Sequence, residues 1–141
     1  MNRWLIIWVT QGVLLGIELL TKYDTGVRQY ALSLTNIIST VGLWWLDRWL
    51  QRRGQRLSTA TIVLALGGVW IDALGNFQHL YARYWWWDRV THTTGGLGAS
   101  AVFIDLALIW RRWKQVAVPS AVVLWFGFLL GQFVAAMYEV S

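Results

Sequence analysis

Residues 116–140 read V-A-V-P-S-A-V-V-L-W-F-G-F-L-L-G-Q-F-V-A-A-M-Y-E-V, and between Lys114 and Glu139 there is no Asp, Glu, Lys, Arg or His. A helix needs about 20 apolar residues to cross the hydrocarbon core of a bilayer, where its backbone groups are satisfied internally. Helices that are apolar on every side belong in a membrane or at the centre of a large soluble body, and 141 residues do not supply such a body. Four further stretches share the character: residues 4 to about 20, 30 to about 50, 57–81 and 85–110. The connectors are too short for an extramembrane domain, and no internal repeat or linker interrupts the chain. The expectation is an all-α membrane protein with about five transmembrane helices in one bundle, residues 1–141 forming a single polytopic domain.

Composition excludes the alternatives. The chain is 57% hydrophobic and 13% charged, with a mean hydropathy of +0.45, whereas soluble domains carry roughly 25% charged residues. That argues against a soluble enzyme, a disordered tail and a secreted disulfide scaffold. Having no cysteine, it has no disulfide, thiolate metal ligand, covalent c-type haem or cysteine nucleophile. Met1–Arg3 precede an apolar run as in a signal peptide, but no small-x-small cleavage site follows and Glu18 interrupts it, so the reading is a retained helix.

The net charge of +5 sits between the apolar stretches, where it determines topology and forms no stripe for nucleic acid. Five spans put Arg3, Arg48, Arg52, Arg53, Arg56, Arg111, Arg112 and Lys114 on one side, and Lys22, Arg28, Arg83 and Arg89 on the other. The positive-inside rule makes the first side cytoplasmic and places the C-terminus outside. A multi-pass protein of a bacterial inner membrane is expected. Most of the 12 tryptophans support this as two interfacial belts, with Trp85, Trp86 and Trp87 in the outer one. Small residues suggest close helix approach at Gly12 and Gly16 and at Gly127, Gly131 and Ala135.

Ionisable residues inside a membrane are costly and are functional candidates by default. With this topology Glu18, Asp72, Asn76, His79, Asp88, His92 and Glu139 all fall in the outer leaflet, whereas Asp105 lies inward. Asp72, Asn76 and His79 share a helix face, although Asp72 and His79 are ~10 Å apart along the axis. Asp88 and His92 stand one turn apart and suit a single cation. A short connector at residues 82–84 implies a hairpin that sets His79 opposite that pair. His79, Asp88, His92 and Glu139 then compose an N2O2 shell suited to a divalent metal: zinc, iron or manganese.

The run Asp72-Ala-Leu-Gly-Asn76-Phe-Gln-His79-Leu-Tyr81, followed by Trp85-Trp-Trp-Asp88-Arg-Val-Thr-His92-Thr-Thr-Gly95-Gly96, resembles the signature of the YjdF-like family of small bacterial integral membrane proteins. The Tyr138-Glu139 step matches the aromatic-Glu end of that family's last helix. The resemblance lies mainly in the C-terminal half and implies Asp72, Asp88, His92 and Glu139 as site positions; it implies no particular reaction.

Several readings stay open. The outer residues can form a polar network that ties helices together, with Asp88 capping its helix, His79 bonding a backbone carbonyl and Glu18 paired with Lys22. Asp105 reads as a charge partner for Arg111 and Arg112. Alternatively His92, followed by Gly95, Gly96, Gly98 and Ala99, offers a flat slot beside an imidazole, as a haem or chlorophyll-type pigment would need. His79 is then a second axial candidate, and the protein an accessory subunit of a photosynthetic or respiratory complex. The one enzymatic route is a metal-activated water at Asp88 and His92 with Glu139 as base. A transporter of this size would need a homo-oligomer. The balance favours a binding or accessory role over catalysis, with the bilayer and a membrane complex or second copy as partners.

Overall fold

The computed structural model describes residues 2–21 and 26–140, with side chains for residues 2–21 and 30–137. The described residues are helical, with no strand among them: α1 (Arg3–Thr21), α2 (Gly26–Gln51), α3 (Thr59–Phe77), the short α4 (Leu80–Arg83), α5 (Trp87–Lys114) and α6 (Ser120–Val140). Local chemistry sets the boundaries. Asn2 Oδ1 accepts from the Trp4 amide at 3.1 Å and opens α1, and Ser58 Oγ accepts from the Thr61 amide at 3.0 Å and opens α3. Pro119 precedes α6, where its missing amide costs nothing. Arg111, Arg112 and Lys114 in the last turn of α5 complement its dipole.

Side-chain pairs define the packing. Arg3 and Trp4 meet Asp47 while Glu18 meets Ser33, so α1 and α2 run antiparallel. Gly68 lies against Gly95 and Gly98 against Ala65, which makes α3 and α5 antiparallel; Gly127 against Ile104 and Gly131 against Ser100 do the same for α5 and α6. The bundle therefore has an arginine-rich end, where Trp4, Ile7, Leu50, Leu57, Ile62, Leu66 and Ile109 form the buried apolar cluster, and an opposite end that carries Asp72, Asp88 and His92.

Four of the described helices are long and apolar enough to cross a membrane: α1, α3, α5 and α6. α2 departs from the five-span expectation because of what its polar residues do. Ser33, Asn36, Thr40 and Asp47 follow a helical period and are all buried, whereas Leu34, Ile38 and Trp45 are more than half exposed. The helix is inverted relative to a soluble one, and its polar inner face lowers its mean hydropathy.

Two expectations change on packing. Among the described residues no atom comes within 4 Å of a Cβ built on Gly12 or Gly16, so that pair makes no close helix approach among them. On α6 the approach is real, since a Cβ on Gly127 would lie 2.8 Å from Ile104 Cα, and one on Gly131 would collide with the Ser100 backbone. Asp105 does not pair with Arg111 or Arg112; its Oδ2 accepts from the Ser58 amide at 2.6 Å. The arginines lie two turns further along α5, and the start of α3 reaches the carboxylate first.

Candidate ligand cleft

A cleft of ≈ 340 Å³ opens at the end opposite the arginines. α3 contributes Gly68, Val69 and Asp72; α4 contributes Tyr81; α5 contributes Asp88, Thr91, His92, Gly95, Gly96 and Ala99. Thr35 and Ser39 close it from α2, and Val134 and Ala135 from α6. Its polar groups gather toward the helix ends, and its deeper wall is small and apolar.

The acids, the tyrosine and the histidine of the cleft each have a polar neighbour. Asn76 Nδ2 donates to the Asp72 carbonyl at 3.0 Å and to Asp72 Oδ1 at 3.3 Å. The Tyr81 hydroxyl donates to the same Oδ1. Burial, and then the Asp72 carboxylate, push the Tyr81 phenol above its ordinary value. Asp88 Oδ1 and His92 Nε2 stand 3.1 Å apart, with both side chains substantially exposed. In water such a pair contributes little to stability. Asp88 lies in the first turn of α5, where a carboxylate favours the dipole, but the N-cap is Trp86 and has no side-chain cap bond.

The glycines divide by role. A Cβ on Gly68 would lie 3.2 Å from Gly95 Cα, one on Gly98 2.8 Å from Ala65 Cα, and one on Gly96 3.0 Å from Gln132 Nε2. A Cβ on Gly95 meets nothing within 4 Å. Gly68, Gly96 and Gly98 thus let the helices close together, whereas Gly95 keeps one wall of the cleft bare.

The structure brings Asp72, Asp88, His92, Gly95 and Gly96 to one space and leaves others out. His79 does not line the cleft. α3 ends at Phe77, and the chain turns through a left-handed His79 (φ 53°, ψ 32°) into α4. The helix of the expected hairpin does not continue to residue 81, and the exposed imidazole is carried off its face. The Glu139 side chain lies outside the described residues. Among the described residues no three His, Asp or Glu side chains are grouped to hold a metal ion.

Glu18 is buried at the α1–α2 contact, accepting from Ser33 Oγ at 2.6 Å and Asn36 Nδ2 at 3.5 Å. Its candidate partner Lys22 lies outside the described residues. Sequence reasoning missed Tyr81, Thr91, Thr35 and Ser39. Tyr81 was legible only as part of a motif, and the α2 hydroxyls carry no signal until that helix is seen to turn its polar face inward.

Comparison with protein families matches residues 3–141 to the family described as Predicted membrane protein (DUF2238). The chain belongs to this family of membrane proteins, and the match includes the N-terminal half as well as the motif around Asp88 and His92. No curated protein and no solved structure matches the chain.

Proposed function

We propose that this chain is a multi-pass protein of a bacterial inner membrane, with α1, α2, α3, α5 and α6 crossing the bilayer and the arginine-rich end in the cytoplasm. Its function is to bind a small amphiphile with a cationic or hydrogen-bond-donating head in the cleft at the outer leaflet. One observation carries this reading: Asp72 and Asp88, from different helices, face a single ≈ 340 Å³ space whose wall at Gly95 is bare. Ligand sites are largely apolar clefts of about 300–1,000 Å³ with a few convergent polar groups, and this one is at the small end of that range. Two carboxylates at its mouth select a cation over an anion.

The test is intact-mass measurement of the protein purified gently in neutral detergent, with decylamine and decanoate as probes. Decylamine is expected to be retained by the wild type and lost in Gly95→Phe, which fills the bare wall, and in the double variant Asp72→Asn, Asp88→Asn. Equal retention of decylamine and decanoate, or retention unchanged in Gly95→Phe, overturns the reading. A second reading, a divalent cation chelated by Asp88 and His92, is favoured by their 3.1 Å separation. It requires a bound metal mass that disappears in His92→Ala while the fold persists.

A further inference from the structure

A second and larger cleft, of ≈ 640 Å³, lies at the opposite end of the bundle, lined in part by Arg3, Arg56, Arg111 and Arg112. Its one carboxylate is Asp105, already engaged by the Ser58 amide. Arg3 is committed to Asp47 at 2.7 Å. Among the described residues Arg56, Arg111 and Arg112 form no ion pair with a carboxylate. Arg111 donates to Ser120 Oγ at 2.8 Å, and Arg112 Nε to the Leu108 carbonyl at 3.3 Å. These bonds place the two guanidiniums without neutralising them. The first residues of α3 and α6, Thr59 and Ser120, also line the cleft; the positive potential of these two N-termini opposes the negative end of α5, which leaves the arginine side chains to set the sign.

The cleft continues into lipid-facing surface. On α5, Ile104, Leu108 and Arg111 recur at helical spacing, and on α6 so do Ser120, Leu124 and Phe128, so each set lies along one side of its helix. An apolar groove of ≈ 410 Å³ between the two helices is lined by Ile104, Ala121, Leu124, Trp125 and Phe128, with Ile104 one turn along α5 from Leu108 and Ala121 next in sequence to Ser120 of the basic cleft. Concentrated cations beside a groove of this kind match a molecule with an anionic head and a hydrocarbon tail, and basic pockets at helix ends are a known form of lipid recognition.

We propose that this cleft binds the phosphate headgroup of an anionic phospholipid, with an acyl chain in the α5–α6 groove. The site is separate from the outer cleft and does not depend on its ligand. The experiment titrates the protein in neutral detergent with phosphatidylglycerol, with phosphatidylcholine of the same chains, and with inorganic phosphate, reading bound adducts by native mass spectrometry. Phosphatidylglycerol is expected to bind in preference to both others, and more weakly as sodium chloride is raised. An arginine near the headgroup is worth about fivefold in affinity, so Arg56→Gln with Arg112→Gln should weaken phosphatidylglycerol roughly 25-fold and leave phosphatidylcholine unchanged. Arg56→Lys with Arg112→Lys preserves the charge and should retain most of the binding. Equal binding of the two lipids, or undiminished phosphatidylglycerol binding in the glutamine variant, overturns the proposal. Phosphate binding as tightly as phosphatidylglycerol assigns the site to the free anion and overturns the lipid. If the glutamine variant fails to fold, salt-independent binding of phosphatidylglycerol to the wild type overturns it equally.

Discussion

Asp47→Ala removes the most heavily bonded side chain at the arginine-rich end. The Asp47 carboxylate is fully buried and accepts from Arg3 Nη2 at 2.7 Å on both oxygens, Trp4 Nε1 at 2.8 Å, Gln51 Nε2 at 2.7 Å and the Leu57 amide at 3.0 Å. It thereby joins the start of α1, the end of α2 and the connector into α3. Removing one partner of a buried ion pair costs about 3–5 kcal/mol, because the other charge and its donors lose their acceptor. The Arg3 side chain is 20% exposed and can turn partly outward, which holds the estimate to the lower half, about 3–4 kcal/mol. At about 3–5 °C per kcal/mol for a chain of this length, the melting midpoint falls by at least about 10 °C. Asp47→Asn keeps the shape and one acceptor and should fall about half as far. The assay is thermal unfolding in detergent, followed by the fluorescence of the 12 tryptophans. An Asp47→Ala midpoint within about 2 °C of wild type would refute the account of Asp47 as the joint between these helices.

Gly131→Leu drives side-chain atoms into the Ser100 backbone, and Gly75→Ala meets the Trp87 indole; each should lose about 1–3 kcal/mol by overpacking, read as a lower melting midpoint. Gly95→Ala meets open space and replaces a glycine inside α5, so it should melt no lower than wild type and up to a few degrees higher, about 0.5–1 kcal/mol, which checks that Gly95 serves the cleft and not the packing. Tyr81→Phe removes the hydroxyl that Asp72 accepts, so the midpoint should fall by a few degrees, about 1 kcal/mol. A midpoint equal to wild type would show that Asp72 is held by Asn76 alone.

Much of the cleft was legible in the sequence because it follows from spacing within one helix. Asp88, His92, Gly95 and Gly96 lie on successive turns of α5, so any arrangement that keeps the helix keeps them close. Asp72 joined them because antiparallel packing brings the end of α3 beside the start of α5. His79 lies outside the cleft for a local reason: the apolar stretch runs to residue 81, but the backbone turns at His79 through a left-handed conformation that nothing in the apolar pattern announces.

The amino-acid sequence by itself determined that the chain is helical and belongs in a membrane, and it separated an arginine-rich end from an end bearing acids and histidines. Those properties are sums over local residues, since transfer into lipid depends on each side chain and on internal backbone bonding. Only the tertiary structure decided which polar groups find one another. Asp47 is one acid in a tryptophan-rich run until α1 delivers Arg3 and Trp4 to it. Asp105 could have faced arginines on its own helix, yet it accepts from the Ser58 amide because α3 begins beside it. Gly12–Gly16 and Gly127–Gly131 are the same pattern, and among the described residues only the second meets another helix. Hydropathy is a property of each segment, whereas a hydrogen bond between helices is a property of the pair, and the pairing is written only in the folded bundle.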